Sequence, residues 1–331
     1  MMMLTPVDRH AGINDHPGAG FHQMVSCSAD FPFRTRVLLP MLIDTVRSIF
    51  PHSVNDGLSA TVRDSRVGSW LFKRLHWETH LALPYVIASF LMLFSLIGFA
   101  HYTSRLTIQQ CGLHNVPRIA ITLSIATLVG LPALFKFTAF LYDPPQLLIF
   151  AGALFYLGEG RLLPFFLFFV LGALNKETSI LLIPLTYVFR SHRSNHSHNG
   201  LICLALILIY GLLRIPLYMT PGAHGAFPVS HLFDHNVQWL FQGYGPIELV
   251  IAVSIMRWLS FGWSEKPLLL RLSLVLLLLP LLGFGMIFGY IDEWRDYFEA
   301  YPACFGLLTH TFVGRSRQRN SPDDYSIRTS Y

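Results

Sequence analysis

The chain has 331 residues, 53% hydrophobic and only 13% charged, with a formal net charge of +5 and a mean hydropathy of +0.47. Soluble domains carry about 25% charged residues, so this balance excludes an ordinary water-soluble enzyme, and the apolar residues gather in runs long enough to cross a bilayer. The basic excess does not describe a nucleic-acid binder, because the aromatic residues lie inside the apolar runs and not among Lys and Arg on a polar face.

Residues 1–80 are mixed polar, rich in His and Asp, and broken by Pro6, Pro17, Pro32 and Pro51, so they cannot span. Within them Val37–Ile43, with Val46, Ile49 and Phe50, predicts an amphipathic helix lying at an interface. Met1–Thr5 offers neither the charged region nor the apolar core of a signal peptide.

From Leu81 onward, spans are expected at 81–100, 119–135, 145–158, 201–218, 246–261, 267–289 and 299–313, with a further region at 162–189. The expected fold class is all-α: a polytopic transmembrane helical bundle of about 8–9 membrane segments. It is divided into a polar segment 1–80, a helical domain 81–313 and a basic tail 314–331. Arg315, Arg317 and Arg319 follow the last apolar run, which places the C-terminus on the cytoplasmic side of the plasma membrane. Gly285 and Gly289 form a G-x-x-x-G expected to mark close helix packing. The four cysteines, Cys27, Cys111, Cys203 and Cys304, are far apart and predict neither a disulfide framework nor a metal site.

The 162–189 region reads LLPFFLFFVLGAL, NKET, SILLIPLTYVF. One continuous helix would put Lys176 and Glu177 in mid-membrane, at about 2.5–3.5 kcal/mol each before pairing. A tight hairpin brings them to a surface but leaves each arm roughly 10 Å short of the hydrocarbon thickness, a comparable cost. The balance of Lys and Arg between the two sides is nearly the same either way. The hairpin is preferred because it collects Tyr142, Asp143, Lys176, Glu177, Asp292, Glu293, Arg295 and Asp296 on one external face, with the N-terminal segment and the 219–244 loop. Cations there can pair with a phosphate, and a carboxylate whose pKa is raised by burial can take a proton from an attacking hydroxyl.

The segments FPFRTRVLLPMLI at 31–43, YDPPQLL at 142–148, LGALNKETSILLIP at 171–184 and DEWRDYFEAYP at 292–302 carry a resemblance. Together they resemble bacterial GT-C glycosyltransferases, polytopic proteins that move a sugar from a polyprenyl-phosphate donor to an acceptor on the outer side of the membrane. The resemblance implies a catalytic carboxylate in the first external loop, where Asp30 is the nearest acid and Asp15 lies further back. It further implies cations on the donor phosphate, for which Lys176 and Arg295 are the candidates, and Asp143, Glu177 and Glu293 shaping the acceptor or a metal site. A divalent cation is the one cofactor that fits this picture. A polyprenyl-phosphate-linked sugar or another lipid is the expected partner, with no nucleic acid. Many members pair two acids in the first loop; here the only adjacent acidic pairs are Asp292 with Glu293 and Asp323 with Asp324.

Other constellations read as surface chemistry. His76, Glu78 and His80 form H-x-E-x-H, and on a helix the Glu would point away from the two His, so they are expected to be interfacial polar residues and not a zinc site. His231 and His235, with Asp234 between them and His224 nearby, read as a solvated loop, as do His192, His196 and His198. Arg257 and Arg271 are expected to snorkel from span ends, and Glu248 to join the polar face. No Walker A, Rossmann or G-x-S-x-G motif occurs. The readings left open are a GT-C-like transferase, a transporter or lipid flippase, for which a broken helix near the midplane is the signature, and a non-catalytic subunit of an envelope assembly complex.

Overall fold

The structure is a computed structural model that describes residues 18–113, 121–122, 140–192, 196–219, 232–242, 246–289, 291 and 294–320. The expectations attached to Asp15, Asp292, Glu293, His224, His231, Asp323, Asp324 and most of the 119–135 span lie outside the described residues. All regular structure among the described residues is helical.

Four short helices precede the bundle: α1 (Phe21–Val25), α2 (Leu38–Ile49), α3 (His52–Asp64) and α4 (Arg66–Arg74). The α2 helix buries Leu38, Leu39 and Ile43 and exposes Met41, Leu42 and Ile49, so it is apolar on more than its packed face. Phe21, Met24, Leu39, Ile43 and Phe72 pack with Ala82, Tyr85 and Ala88 into one cluster, which fixes this segment onto the start of α5 (Ala82–Cys111). Gly112, at φ 62°, ends α5 in the left-handed conformation that favours glycine.

The bundle continues with α6 (Asp143–Glu159), α7 (Leu162–Asn175), α8 (Leu182–Ser191), α9 (His196–Met219), α10 (Leu232–Gln242), α11 (Pro246–Ser260), α12 (Leu268–Phe288) and α13 (Tyr301–Asn320). Pro144 and Pro145 sit in the first turn of α6, where the missing N–H groups cost nothing. Contacts along the helices give their directions. Gly98 faces Leu148 and Gly158 faces Gln110, so α5 and α6 run parallel. Asn175 meets Tyr142 while Phe168 covers Gly152, so α6 and α7 run antiparallel. Ascending α9, Cys203, Tyr210 and Arg214 meet Ile183, then Glu177 and Phe169, then Ala173. Hence α9 is parallel to α7 and antiparallel to α8, and the chain reverses at Lys176.

Three helical stretches, Thr79–Cys111, His196–Met219 and Leu268–Phe288, are long and apolar enough to cross a membrane. Their outer faces carry Phe90, Leu93, Phe94 and Ile97 on α5, and Leu201, Leu204, Leu208, Leu212 and Ile215 on α9, at helical spacing. Such continuous exposed apolar faces suit lipid and not water. Between the helices, Phe150, Leu154, Phe165, Phe169, Leu185, Leu206, Leu270, Leu277 and Leu307 are fully buried in one core. Gly152 allows the ring of Phe168 to lie against the α6 backbone; a Cβ there would stand 2.4 Å from its Cζ.

The G-x-x-x-G glycines meet both a turn and a neighbouring helix. The α12 helix ends at Phe288, and Cβ positions on Gly285 and Gly289 would meet Tyr297 Oη at 3.1 Å and Asp296 Oδ2 at 3.0 Å. Asn236 of α10 is fully buried and donates through Nδ2 to the carbonyls of Gly285 (3.0 Å), Met286 (3.1 Å) and Gly289 (2.7 Å). Its Oδ1 accepts from the Ile291 amide at 3.1 Å. One side chain thus satisfies the end of α12 and guides the chain into the 3-10 turn Trp294–Ala300.

Candidate functional site at one end of the bundle

These directions bring five regions to a single end: the loop before α2, the start of α6, the α7–α8 reversal, the upper part of α9 and the Trp294–Ala300 turn. Helix α7 stops at Asn175 because Lys176 takes an extended conformation, φ −153° and ψ 144°, and a 3-10 turn over Glu177–Leu181 redirects the chain. Ser179 Oγ, donating to the Lys176 carbonyl at 3.0 Å, supports that reversal.

Two buried ionic groups occupy this end. In the first, Glu177 accepts from Arg36 Nη2 at 2.5 Å and Nε at 3.3 Å, and from Arg214 Nη2 at 3.3 Å. Arg214, only 1% exposed, also donates through Nη1 to the carbonyls of Thr35 (2.8 Å) and Ala173 (3.3 Å), and through Nη2 to Thr35 Oγ1 and Tyr218 Oη. In the second, Lys176 Nζ lies 3.2 Å from Glu299 Oε1, which also accepts from Thr178 Oγ1 and from Gln146 Nε2 at 3.2 Å. Asn175 Nδ2 ties that group to α6 through the Tyr142 carbonyl at 3.0 Å and Gln146 Oε1 at 2.8 Å.

Tyr142 joins the two. The Arg36 guanidinium lies over its ring at 4.1 Å, and Arg295 Nη1 donates to its hydroxyl at 3.3 Å while stacking 4.0 Å above Phe140. Phe33, Phe140 and Tyr142 stack in series, so the cations stand against an aromatic wall. Asp143 is buried, and its Oδ2 accepts from the Phe140 amide at 3.0 Å.

Proximity sets the charge states. Burial alone would lower the Lys176 ammonium, but Glu299 and Asp296 outweigh it and hold it above the ordinary lysine value. Burial alone would raise the Glu177 carboxyl, but Arg36 and then Arg214 overcome that and hold it at about 2. Both groups are therefore ionised at neutral pH.

Of the residues singled out in the sequence, Asp143, Lys176, Glu177 and Arg295 meet at this end. Asp30 lies on the loop before α2: its amide donates to the Gly18 carbonyl at 2.7 Å, and its carboxylate lies directly over Gly18. Among the described residues no hydrogen bond or ion pair joins that carboxylate to Lys176, Glu177 or Arg295. Glu293 is outside the described residues. Sequence reasoning missed Arg36, Gln146, Arg214 and Glu299. Arg214 carried a signal, being a cation inside an apolar run; Arg36 and Glu299 stood within quoted segments but had no local spacing to mark them.

Fold and site together define a helical bundle with membrane-length helices and a buried, charge-compensated polar cluster at one end. Compared with protein-family models, curated proteins and solved structures, the chain shows no match.

Proposed function

We propose that this end of the bundle binds the phosphate head group of a lipid-linked sugar, and that the protein is a GT-C-like glycosyltransferase of a bacterial plasma membrane. The observation that carries this reading is the convergence of Arg36, Lys176, Arg214 and Arg295 at one end, with Arg36 and Arg295 over the Tyr142 and Phe140 rings, beside helices whose outer faces match lipid tails. In this reading the bundle has about 8–9 membrane segments, the cluster faces the outer side and the C-terminus is cytoplasmic.

The reaction joins an acceptor hydroxyl oxygen to the sugar's anomeric carbon as the bond from that carbon to the phosphate breaks. The hydroxyl proton passes to a carboxylate, and the polyprenyl phosphate leaves held by the cations. Asp30 is the base that the resemblance selects. Arg36 and Arg295, bracketing Tyr142, are the phosphate contacts, and Asp143 with Glu177 orients them.

The test is binding of a polyprenyl-phosphate sugar to the full chain in nanodiscs, read by native mass spectrometry, with transfer assayed in parallel. R295A is expected to weaken donor binding at least tenfold, and D30N to abolish transfer while leaving binding intact. Wild-type protein that takes up no such lipid, or that binds it undiminished after R295A, would overturn the reading. A transporter drew its support from a broken helix within one span, and the reversal at Lys176 takes that support away. A non-catalytic subunit is favoured by one observation: Glu177 and Glu299 already have cationic partners within the chain.

A further inference from the structure

At the start of the first membrane-length helix, the imidazole nitrogens of His22 and His80 and a carboxylate oxygen of Glu78 lie within 4.8 Å of one another. We propose that these three residues form a binding site for a zinc-type divalent cation.

The helical expectation for H-x-E-x-H fails because residues 76–81 are not an α-helix. Glu78 is extended, φ −83° and ψ 121°, and Thr79–Leu81 turn at once into a 3-10 helix, so Glu78 folds onto His80 with Oε2 3.4 Å from Nε2. The third ligand is not His76, which closes the end of α4 at φ 52°, but His22, from a helix more than fifty residues earlier. Its ring lies edge-on to that of His80, with centroids 6.2 Å apart.

The scaffold beneath the three is built rather than incidental. Tyr85 is sandwiched between Phe21, at 4.1 Å, and Trp77, at 4.5 Å and only 2° from parallel, and those two rings immediately precede His22 and Glu78 in sequence. Asn55 fixes the other side, donating to the His80 carbonyl at 3.2 Å and accepting from the Leu83 amide at 3.4 Å. Donor atoms around a tetrahedral zinc stand about 3.3 Å apart, so Glu78 and His80 already have the spacing, and His22 needs only a side-chain adjustment. Two imidazoles and one carboxylate suit zinc, cobalt or iron(II) over magnesium or calcium, and leave a fourth position for water. Bound there, the ion clips α1 to the first membrane-length helix.

The test uses the full chain in nanodiscs, stripped with chelator, in a C27S background because the Cys27 thiol is exposed near α1. Cobalt is titrated and its visible absorption followed; zinc protection of the exposed Ser26–Ser28 stretch from protease gives a second readout. One equivalent is expected to bind, with affinity falling at least tenfold in H22A, H80A and E78Q and unchanged in H76A. All four side chains are exposed, so the variants keep the fold, which an unshifted melting profile without metal verifies. Absence of stoichiometric uptake, wild-type affinity in H22A, or a loss in H76A equal to that in H80A overturns the site.

Discussion

Replacing Glu177 by Gln leaves two buried guanidiniums without their shared counter-charge, and breaking a buried ion pair in this way costs about 3–5 kcal/mol. The pH dependence follows from the same contacts. The folded Glu177 value of about 2 lies below the unfolded one, about 4.3, so its contribution is fully present above about 4.3 and is lost as pH falls toward 2. Lys176 is raised when folded, so its contribution is complete below the ordinary lysine value of about 10.4 and is lost as pH rises beyond it. The contribution of these two groups to a melting-temperature profile should therefore be flat between roughly pH 5 and 10 and fall on both sides, and E177Q should lower the melting temperature and flatten the acid limb. An unchanged acid limb in E177Q would mean that the carboxylate does not hold the two arginines. At this scale the Lys176–Glu177 interruption is legible because charge inside an apolar run is expensive. Its partners are less so: Arg36 is 141 residues from Glu177, and Gln146 is 153 from Glu299, separations that no local pattern encodes.

Helix packing gives a sharper contrast than charge. A Cβ on Gly152 would press into the Phe168 ring, itself enclosed by Tyr102 and Tyr156, whereas a Cβ on Gly98 would meet only the tip of Leu148. Overpacking costs about 1–3 kcal/mol where neighbours cannot yield. G152A should therefore lower the melting temperature distinctly more than G98A, and equal losses would show that Phe168 is free to move. The positions of α2, α5, α6, α9 and α12 follow from apolar runs in the sequence, and Pro144 and Pro145 mark the start of α6. Spacing failed at 76–80, where an assumed helix turns Glu78 away while the actual 3-10 turn brings it onto His80; at Gly285 and Gly289 it marked a close approach but not the tight exit from α12 that shares it.

Across the whole molecule, the helix directions place Glu159 and His192 at the end opposite α1. Labelling with a membrane-impermeant thiol reagent should therefore modify E159C and H192C from the same side, each in a C27S background, and native Cys27 from the other. Opposite sidedness for E159C and H192C would replace the reversal at Lys176 with a continuous crossing. All-helical architecture and membrane-length runs are evident from composition and periodicity alone. What they do not specify is which helices run alongside one another in the same direction, because that depends on crossings between residues distant in the chain.

The α7 helix has 14 residues and so rises only about 21 Å, against a hydrocarbon layer about 30 Å deep. In the proposed reading, where α7 is one of the membrane segments, a bilayer around this flank has to pinch inward, drawing head groups down toward the lysine bend at a cost of fractions of a kcal/mol for each ångström. The dimple so formed would let a lipid present its polar end to the arginines without leaving its leaflet, and would make the protein a preferential resident of thin membranes.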